Sequence, residues 1–212
     1  MEAALLAHNE RSKQTESEFP LTALIEHFSI FKGVGKKSAQ RMALEAILLS
    51  PEKIQRFADS LVQTRQNIQF CQTCFYLTWQ THCHICLDHN RKQDTLCVVS
   101  EPKDVLNIYQ TGQYHGLFHV LGGVISPLDG VYPDMLRFKE LKSRIQSGGI
   151  QDVVLALNPT VEGDTTVLYL KEFLADTEVD LYQLAQGIPI GSDLAYLDEV
   201  TLHKAFEGKK RL

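Results

Sequence analysis

No apolar run in this sequence approaches the roughly 18–20 residues that a helix needs to cross a bilayer. The N-terminus, Met1 to Glu18, lacks the basic start and apolar block of a secretory signal. The cytoplasm is therefore the expected compartment, with no membrane association. An excess of positive charge is also missing. The chain has 21 Lys and Arg against 26 Asp and Glu, a formal net charge of −5. That excludes a uniformly basic nucleic-acid coat and leaves only a local patch for such binding. Internal repeats and low-complexity tracts are absent. Hydrophobic residues at 44% and charged residues at 22% of 212 exclude wholesale disorder. The length suffices for one large domain or two small ones with a sizeable core.

The charge is unevenly placed. Residues 1–70 hold 9 basic and 8 acidic side chains, and residues 101–212 hold 10 and 16. Lys32, Lys36, Lys37 and Arg41 form a short basic cluster with no acid between them. Residues 1–19 are polar and read as a loose or helical arm. Leu21, Leu24, Ile25, Phe28 and Phe31 then recur with helical spacing. A glycine-containing turn, Lys32-Gly33-Val34-Gly35-Lys36-Lys37, leads to a second helix with Ala39, Met42, Ala43, Ala46 and Ile47 on one face. Ser50-Pro51 reads as an N-cap with proline at the first helical position, opening a third helix. From Thr95 strands and helices alternate. Strands are expected at Leu96–Val99, Leu117–Leu121, Asp152–Leu157 and Val179–Leu184. Helices are expected at Pro102–Gln110, from a cap at Asp134 to Ile145, at Asp164–Leu174 and at Val200–Phe206, with Lys209, Lys210 and Arg211 following. This alternation implies a parallel sheet covered by helices. The fold class is α+β with several units: a small helical unit (20–70), a cysteine-rich segment (71–94), an α/β region (95–185) and a C-terminal helical segment (186–212).

The strongest local signal is Cys71-x2-Cys74-x8-Cys83-x2-Cys86. Each Cys-x2-Cys pair wraps a turn so that both thiolates face one ion, and two pairs complete a tetrahedral sulfur site suited to Zn2+. No coordination position stays open, so the expected role is structural, with one Zn2+ per chain. A segment this short has little core, and the metal would supply its folding energy. Disulfides are the rival reading, which a cytoplasmic chain disfavours. His82, His84 and His89 lie nearby and read as surface residues, and Cys97 reads as a small buried hydrophobe.

Two helices joined by Gly33-Val34-Gly35 have the form of a helix-hairpin-helix. The glycines permit a sharp turn and a close backbone approach. The amides that open the second helix favour a phosphate, and Lys37 and Arg41, four apart, share a face beside Lys36. Together they make a sequence-independent grip on a DNA backbone. The plain alternative is a glycine turn between packed helices with solvated lysines. In the α/β region Glu101, Glu162 and Asp164 fall in loops beyond strand ends, where open parallel sheets build their sites. Three carboxylates there suit Mg2+ and phosphoryl transfer. Helix capping by Glu101 and Asp164, with Glu162 exposed, explains them equally.

These pieces resemble the RecR family of bacterial recombination mediators, from about Leu21 to the end. The resemblance rests on Gly33-Val34-Gly35-x-Lys37-Ser38-Ala39-Gln40-Arg41-Met42-Ala43, the four cysteines, Gly123-x-x-Ser126-Pro127-Leu128-Asp129-Gly130, Asn158-Pro159-Thr160-Val161-Glu162-Gly163 and Gly187-Ile188-Pro189-Ile190-Gly191. It implies a helix-hairpin-helix, a four-cysteine zinc finger and a Toprim domain closed by a C-terminal segment. It further implies a ring-like tetramer able to encircle DNA, working with RecO, and in many bacteria RecF, to help RecA replace single-stranded-DNA-binding protein at gaps. The family's DNA-contacting pair falls on Lys37 and Arg41, its zinc ligands on the four cysteines, and its Toprim acids near Glu101, Glu162 and Asp164.

The chain departs from the family pattern in three places. Ser100 stands where the Toprim glutamate directly follows the first strand, with Glu101 one residue later, which argues against Mg2+ binding there. Lys32 replaces the usual proline of the turn, and residues 1–19 extend beyond the usual start. A non-enzymatic DNA clamp is the expected function. A Mg2+-dependent Toprim enzyme of the nuclease or primase type, and a purely structural zinc-bearing interaction protein, are the alternatives.

Overall fold

The computed structural model describes residues 20–209. Expectations for residues 1–19 and for Lys210 and Arg211 lie outside the described residues. The chain divides into two compact units, one through Asn67 and the other from Ile68 onward.

The first unit consists of α1 (Thr22–Ser29), α2 (Lys36–Ile47) and α3 (Pro51–Asn67). The amide of Val34 bonds the Phe31 carbonyl at 3.0 Å, and Gly33 turns the chain at φ +82°. Gly35 is extended and caps α2, whose first backbone bond runs from Ala39 to Gly35 at 3.0 Å. Pro51 opens α3 as expected, and Lys53 and Ile54 donate to the Ser50 carbonyl. Among the described residues of this unit only Ala39 and Ala43, one turn apart on α2, are fully buried.

The second unit begins with a short antiparallel pair, β1 (Gln69–Phe70) and β2 (Leu77–Thr78), followed by the short helix α4 (His84–Leu87). Strand β3 (Thr95–Val99), α5 (Pro102–Gln110), β4 (Leu117–Val120), α6 (Phe138–Gln146), β5 (Asp152–Ala156), α7 (Val161–Phe173) and β6 (Asp180–Gln183) follow, and α8 (Glu199–Glu207) closes the unit. The sheet is parallel throughout, in the order β4-β3-β5-β6. Successive strand residues point to opposite faces. Leu96, Val98, Val153 and Leu155 therefore pack with Leu141 and Leu170, from α6 and α7, on one face. Cys97, Val99, Phe118 and Val120 pack on the other with Val105 of α5, Ile85 of α4 and three of the clustered cysteines. The cysteine segment thus shares its core with the sheet. Among the described residues, no helix is long and apolar enough to cross a membrane.

Two helix starts differ from expectation. Asp134 does not cap α6. Pro133–Met135 makes a single 3-10 turn, Leu136 returns to extended backbone at φ −103°, ψ 157°, and the helix begins at Phe138. Burial of Leu136 and Phe138 and the Arg137 N–H bond to the Leu121 carbonyl at 3.0 Å fix this break. Helix α7 begins at Val161, capped by Thr160, whose Oγ1 accepts from the Gly163 amide at 3.1 Å. Asp164 lies inside its first turn and is free to serve elsewhere.

Candidate metal centre and nucleic-acid interface

The metal centre is assembled by two backbone turns. After β1, the Cys71 carbonyl accepts from Phe75 N–H at 2.9 Å, and Cys71 N–H donates to the Tyr76 carbonyl at 2.7 Å. Phe75 takes the left-handed conformation at φ +60°, unusual for a large residue. Its ring is held edge-on to His119 at 5.4 Å and under the Arg137 guanidinium at 4.9 Å. The second turn places Cys83 at the start of α4, with Leu87 N–H bonding the Cys83 carbonyl at 3.1 Å. All four sulfurs lie within 4.8 Å of one another, and Cys74 Sγ and Cys83 Sγ are 3.4 Å apart. Zn–S bonds of about 2.3 Å in a tetrahedron require S···S separations of about 3.8 Å. The cluster fits that shape after small adjustments. Its donors are all sulfur, and three of the four residues are fully buried. The four cysteines are therefore positioned to bind a metal ion.

Proton affinities within the cluster are linked. Hydrogen bonds from the Cys74 and Cys86 thiols pull Cys83 down to about 2. Cys74 is held above its ordinary value by its bonds to Cys83 and Cys86 and by burial. A bound dication would displace the protons of the thiols that ligate it. His82, His84 and His89 are not in the cluster, and the His84 ring packs edge-on against Tyr109 at 5.4 Å. Cys97 is buried, and burial pushes its thiol up to about 12. Burial also lowers His119 to about 3, so this ring is neutral at physiological pH.

In the first unit Gly33, Gly35, Lys36, Lys37 and Arg41 are all exposed. No ion pair reaches Lys36, Lys37 or Arg41 among the described residues. A Cβ added at Gly35 would meet nothing within 4 Å, and its φ of −76° suits any residue. Among the described residues nothing requires glycine there.

The sheet builds a cleft of about 490 Å³ beyond the ends of β3, β5 and β6. It lies where β3 has neighbours running to opposite sides, the usual position for a site in such sheets. Asp104, Asn107, Asn158, Gln186 and Lys204 contribute its polar lining. Glu101, Glu162 and Asp164 do not line it, and the three do not come together as a metal-binding group. Glu101 pairs with Lys103 at 2.7 Å. Asp164 accepts from Lys204 at 2.9 Å, which holds its carboxyl below the usual range. Ser100 Oγ and the Glu101 N–H both donate to Asp104 Oδ2 at 2.9 Å.

Residues 21–65 match the family described as RecR, helix-hairpin-helix, and residues 187–210 match RecR, C-terminal. Residues 94–185 match the Toprim domain. A recombination protein RecR from Synechococcus sp. (strain CC9605) is 44% identical over 190 residues, covering 90% of this chain and 99% of the relative. One from Prochlorococcus marinus (strain MIT 9313) is 45% identical over 89% of this chain and 100% of its own length. One from Streptomyces coelicolor is 42% identical over 89% and 95%. The chain belongs to the RecR family.

The RecR motifs quoted above have local causes. In Asn158–Gly163, a methyl on Gly163 would overlap the Asn158 carbonyl oxygen, while Thr160 caps the helix. In Ser126–Gly130, Ser126 Oγ donates to Asp129 Oδ2 at 2.6 Å and Gly130 adopts φ +73°. Sequence reasoning missed Asp104 and Lys204. The spacing Glu101-x-x-Asp104 carries a capping-box signal for the first. Lys204 lies 40 residues from its partner and has no local signal.

Proposed function

We propose that this RecR-family chain is a non-enzymatic DNA clamp and recombination mediator of the cytoplasm. It acts with RecO, and with RecF, to help load RecA at single-stranded gaps. In this reading residues 20–70 grip DNA, residues 71–94 hold a structural Zn2+ through Cys71, Cys74, Cys83 and Cys86, and the Toprim (95–185) and C-terminal (186–212) regions present partner-binding acids, Glu101, Glu162 and Asp164. The observation that carries it is the exposed N-terminus of α2. There Lys36, Lys37 and Arg41 stand without ion pairs among the described residues, behind two exposed glycines. Gly35 is free of internal constraint, which suits close approach by a phosphate backbone.

Assembly with further copies, a tetrameric ring in this reading, is supported by the same unit. Ile30, Phe31, Ile47, Leu48, Leu61 and Val62 are all more than half exposed. Faces so apolar mark association surfaces. The enzyme alternative needs carboxylates converging on one ion. Glu101 and Asp164 are instead engaged by lysines, and the strand-end position holds Ser100.

The test uses end-labelled gapped DNA with the full chain and Mg2+, run on native and denaturing gels. Retarded, uncut DNA is expected, and cleaved or extended strands would overturn the clamp. Lys37→Ala with Arg41→Ala should weaken binding to all sequences and reduce the log–log salt slope by about 2. An unchanged slope would take both residues off the DNA surface.

A further inference from the structure

We propose that Trp79, in the cysteine-bearing module, is a stacking platform for an unpaired base of single-stranded DNA; this rests on the DNA-binding reading above and adds a second contact to it. Trp79 is the only tryptophan of the chain and is 60% exposed. Its backbone is held on both sides. Gln80 N–H donates to Thr78 Oγ1 at 3.2 Å, closing a tight turn around the indole. The Gln69 side-chain amide reaches the Trp79 carbonyl at 3.5 Å, and Gln72 N–H bonds the Thr81 carbonyl at 3.0 Å. The backbone on both sides is therefore fastened, which lowers the entropy lost when a ligand stacks.

The indole opens on a cavity of about 440 Å³ that Thr78, Gln80, His82 and His84 also line. These side chains offer donors and acceptors to the edge of a base while the indole offers its face. His84 is steadied by its edge contact with Tyr109. Leu87 is the only aliphatic residue in this lining. Asp88 is its only carboxylate, and Oδ1 accepts from the Asn90 amide at 3.0 Å. A duplex hides its base faces in the stack, whereas a single strand exposes them, and stacking tolerates every base.

The single tryptophan makes the contact directly readable. The full chain is titrated with 5′-labelled oligothymidylate while label anisotropy and indole emission are followed together. Emission should fall with the same midpoint at which anisotropy rises. Trp79→Ala should raise Kd roughly tenfold, and Trp79→Phe, which keeps an aromatic face, should remain within about threefold of the parent. Zinc content should be unchanged in both variants. If Trp79→Ala loses zinc, Trp79→Phe and the parent's quenching decide the matter. Rising anisotropy with unchanged emission, and equal affinity in the Trp79 variants, would overturn the proposal and leave Trp79 as a protein-facing residue while the clamp stands. No anisotropy change in the parent chain would overturn the DNA reading, and this inference with it. Lys37→Ala with Arg41→Ala should instead lower affinity while leaving the quenching per bound oligonucleotide intact.

Discussion

Among the described residues of the first unit the buried side chains are Ala39 and Ala43, whereas the second unit buries residues as large as Phe118, Phe138 and Leu141 in clusters on both faces of its sheet. The difference is one of destination. Helices of 8, 12 and 17 residues are marginal in water without tertiary packing. Two alanines supply little of it. Leu24, Ile25, Phe28 and Ile54 are half-buried between the helices, while Ile47, Leu48, Leu61 and Val62 are more than half exposed. The second unit has a core on each face of its sheet, one of them completed by Cys71, Cys74 and Cys83, although Leu128, Ile190 and Tyr196 stay exposed. Among the described residues one unit has little core of its own, and the other has the more self-sufficient one.

The sharpest way to break this comparison is to remove the metal proposed for the second unit. A structural Zn2+ contributes on the order of 10 kcal/mol to a small domain. Chelation, or Cys83→Ser, should therefore abolish the near-ultraviolet circular dichroism of the second unit. An unchanged thermal midpoint after chelation would mean that the sheet stands without the cluster. Next in size, Ile47→Asp with Leu48→Asp should lower the sedimentation coefficient by splitting the proposed assembly, while the sheet's unfolding transition stays in place. A particle of unchanged mass would show that these side chains, 56% and 82% exposed, are not a covered face.

The smallest effect tests how firmly the C-terminal segment belongs to the self-sufficient unit. Lys204 holds Asp164 below its ordinary value of 3.8. A depressed folded-state value stabilises above the unfolded value and is lost as pH falls through the folded one, so this contribution is full at pH 7 and vanishes in strong acid. Because the Asp164 side chain is 43% exposed, the pair contributes at most about 1 kcal/mol. Lys204→Met should lower the urea midpoint slightly at pH 7 and not at all in strong acid. Equal losses at both would mean that the side chain acts by packing alone.

What could be read without coordinates was whatever lies close together along the chain. The cysteine pairs carry their ligand geometry in a two-residue spacing, and the structure brings all four sulfurs together. Helix α5 runs from Pro102 to Gln110 as expected, because proline and the Glu101-x-x-Asp104 pattern mark its start. Helix α7 was read from Asp164, although Thr160, nearer the strand end, was the better cap. The choice between them depended on Gly163 packing against Asn158, a contact that spacing does not encode. Helix α6 began late because burial of Leu136 overrode the capping signal at Asp134. The Lys204 pairing, 40 residues long, appears only once the sheet has gathered distant loops, whereas the Ser100 bond to Asp104 spans four residues and lies within reach of the local pattern.

The turn at Cys74 has one further consequence. Strand β4 forms an outer margin of the sheet, and such margins recruit strands from other molecules. Here the Val120 amide is bonded to the Cys74 carbonyl at 2.9 Å, and the Phe118 carbonyl accepts from Arg144 at 2.7 Å. The cysteine turn therefore acts as a guard rail. With that turn undone, β4 would be open as a template, and failure would take the form of intermolecular strand pairing rather than simple loss of shape.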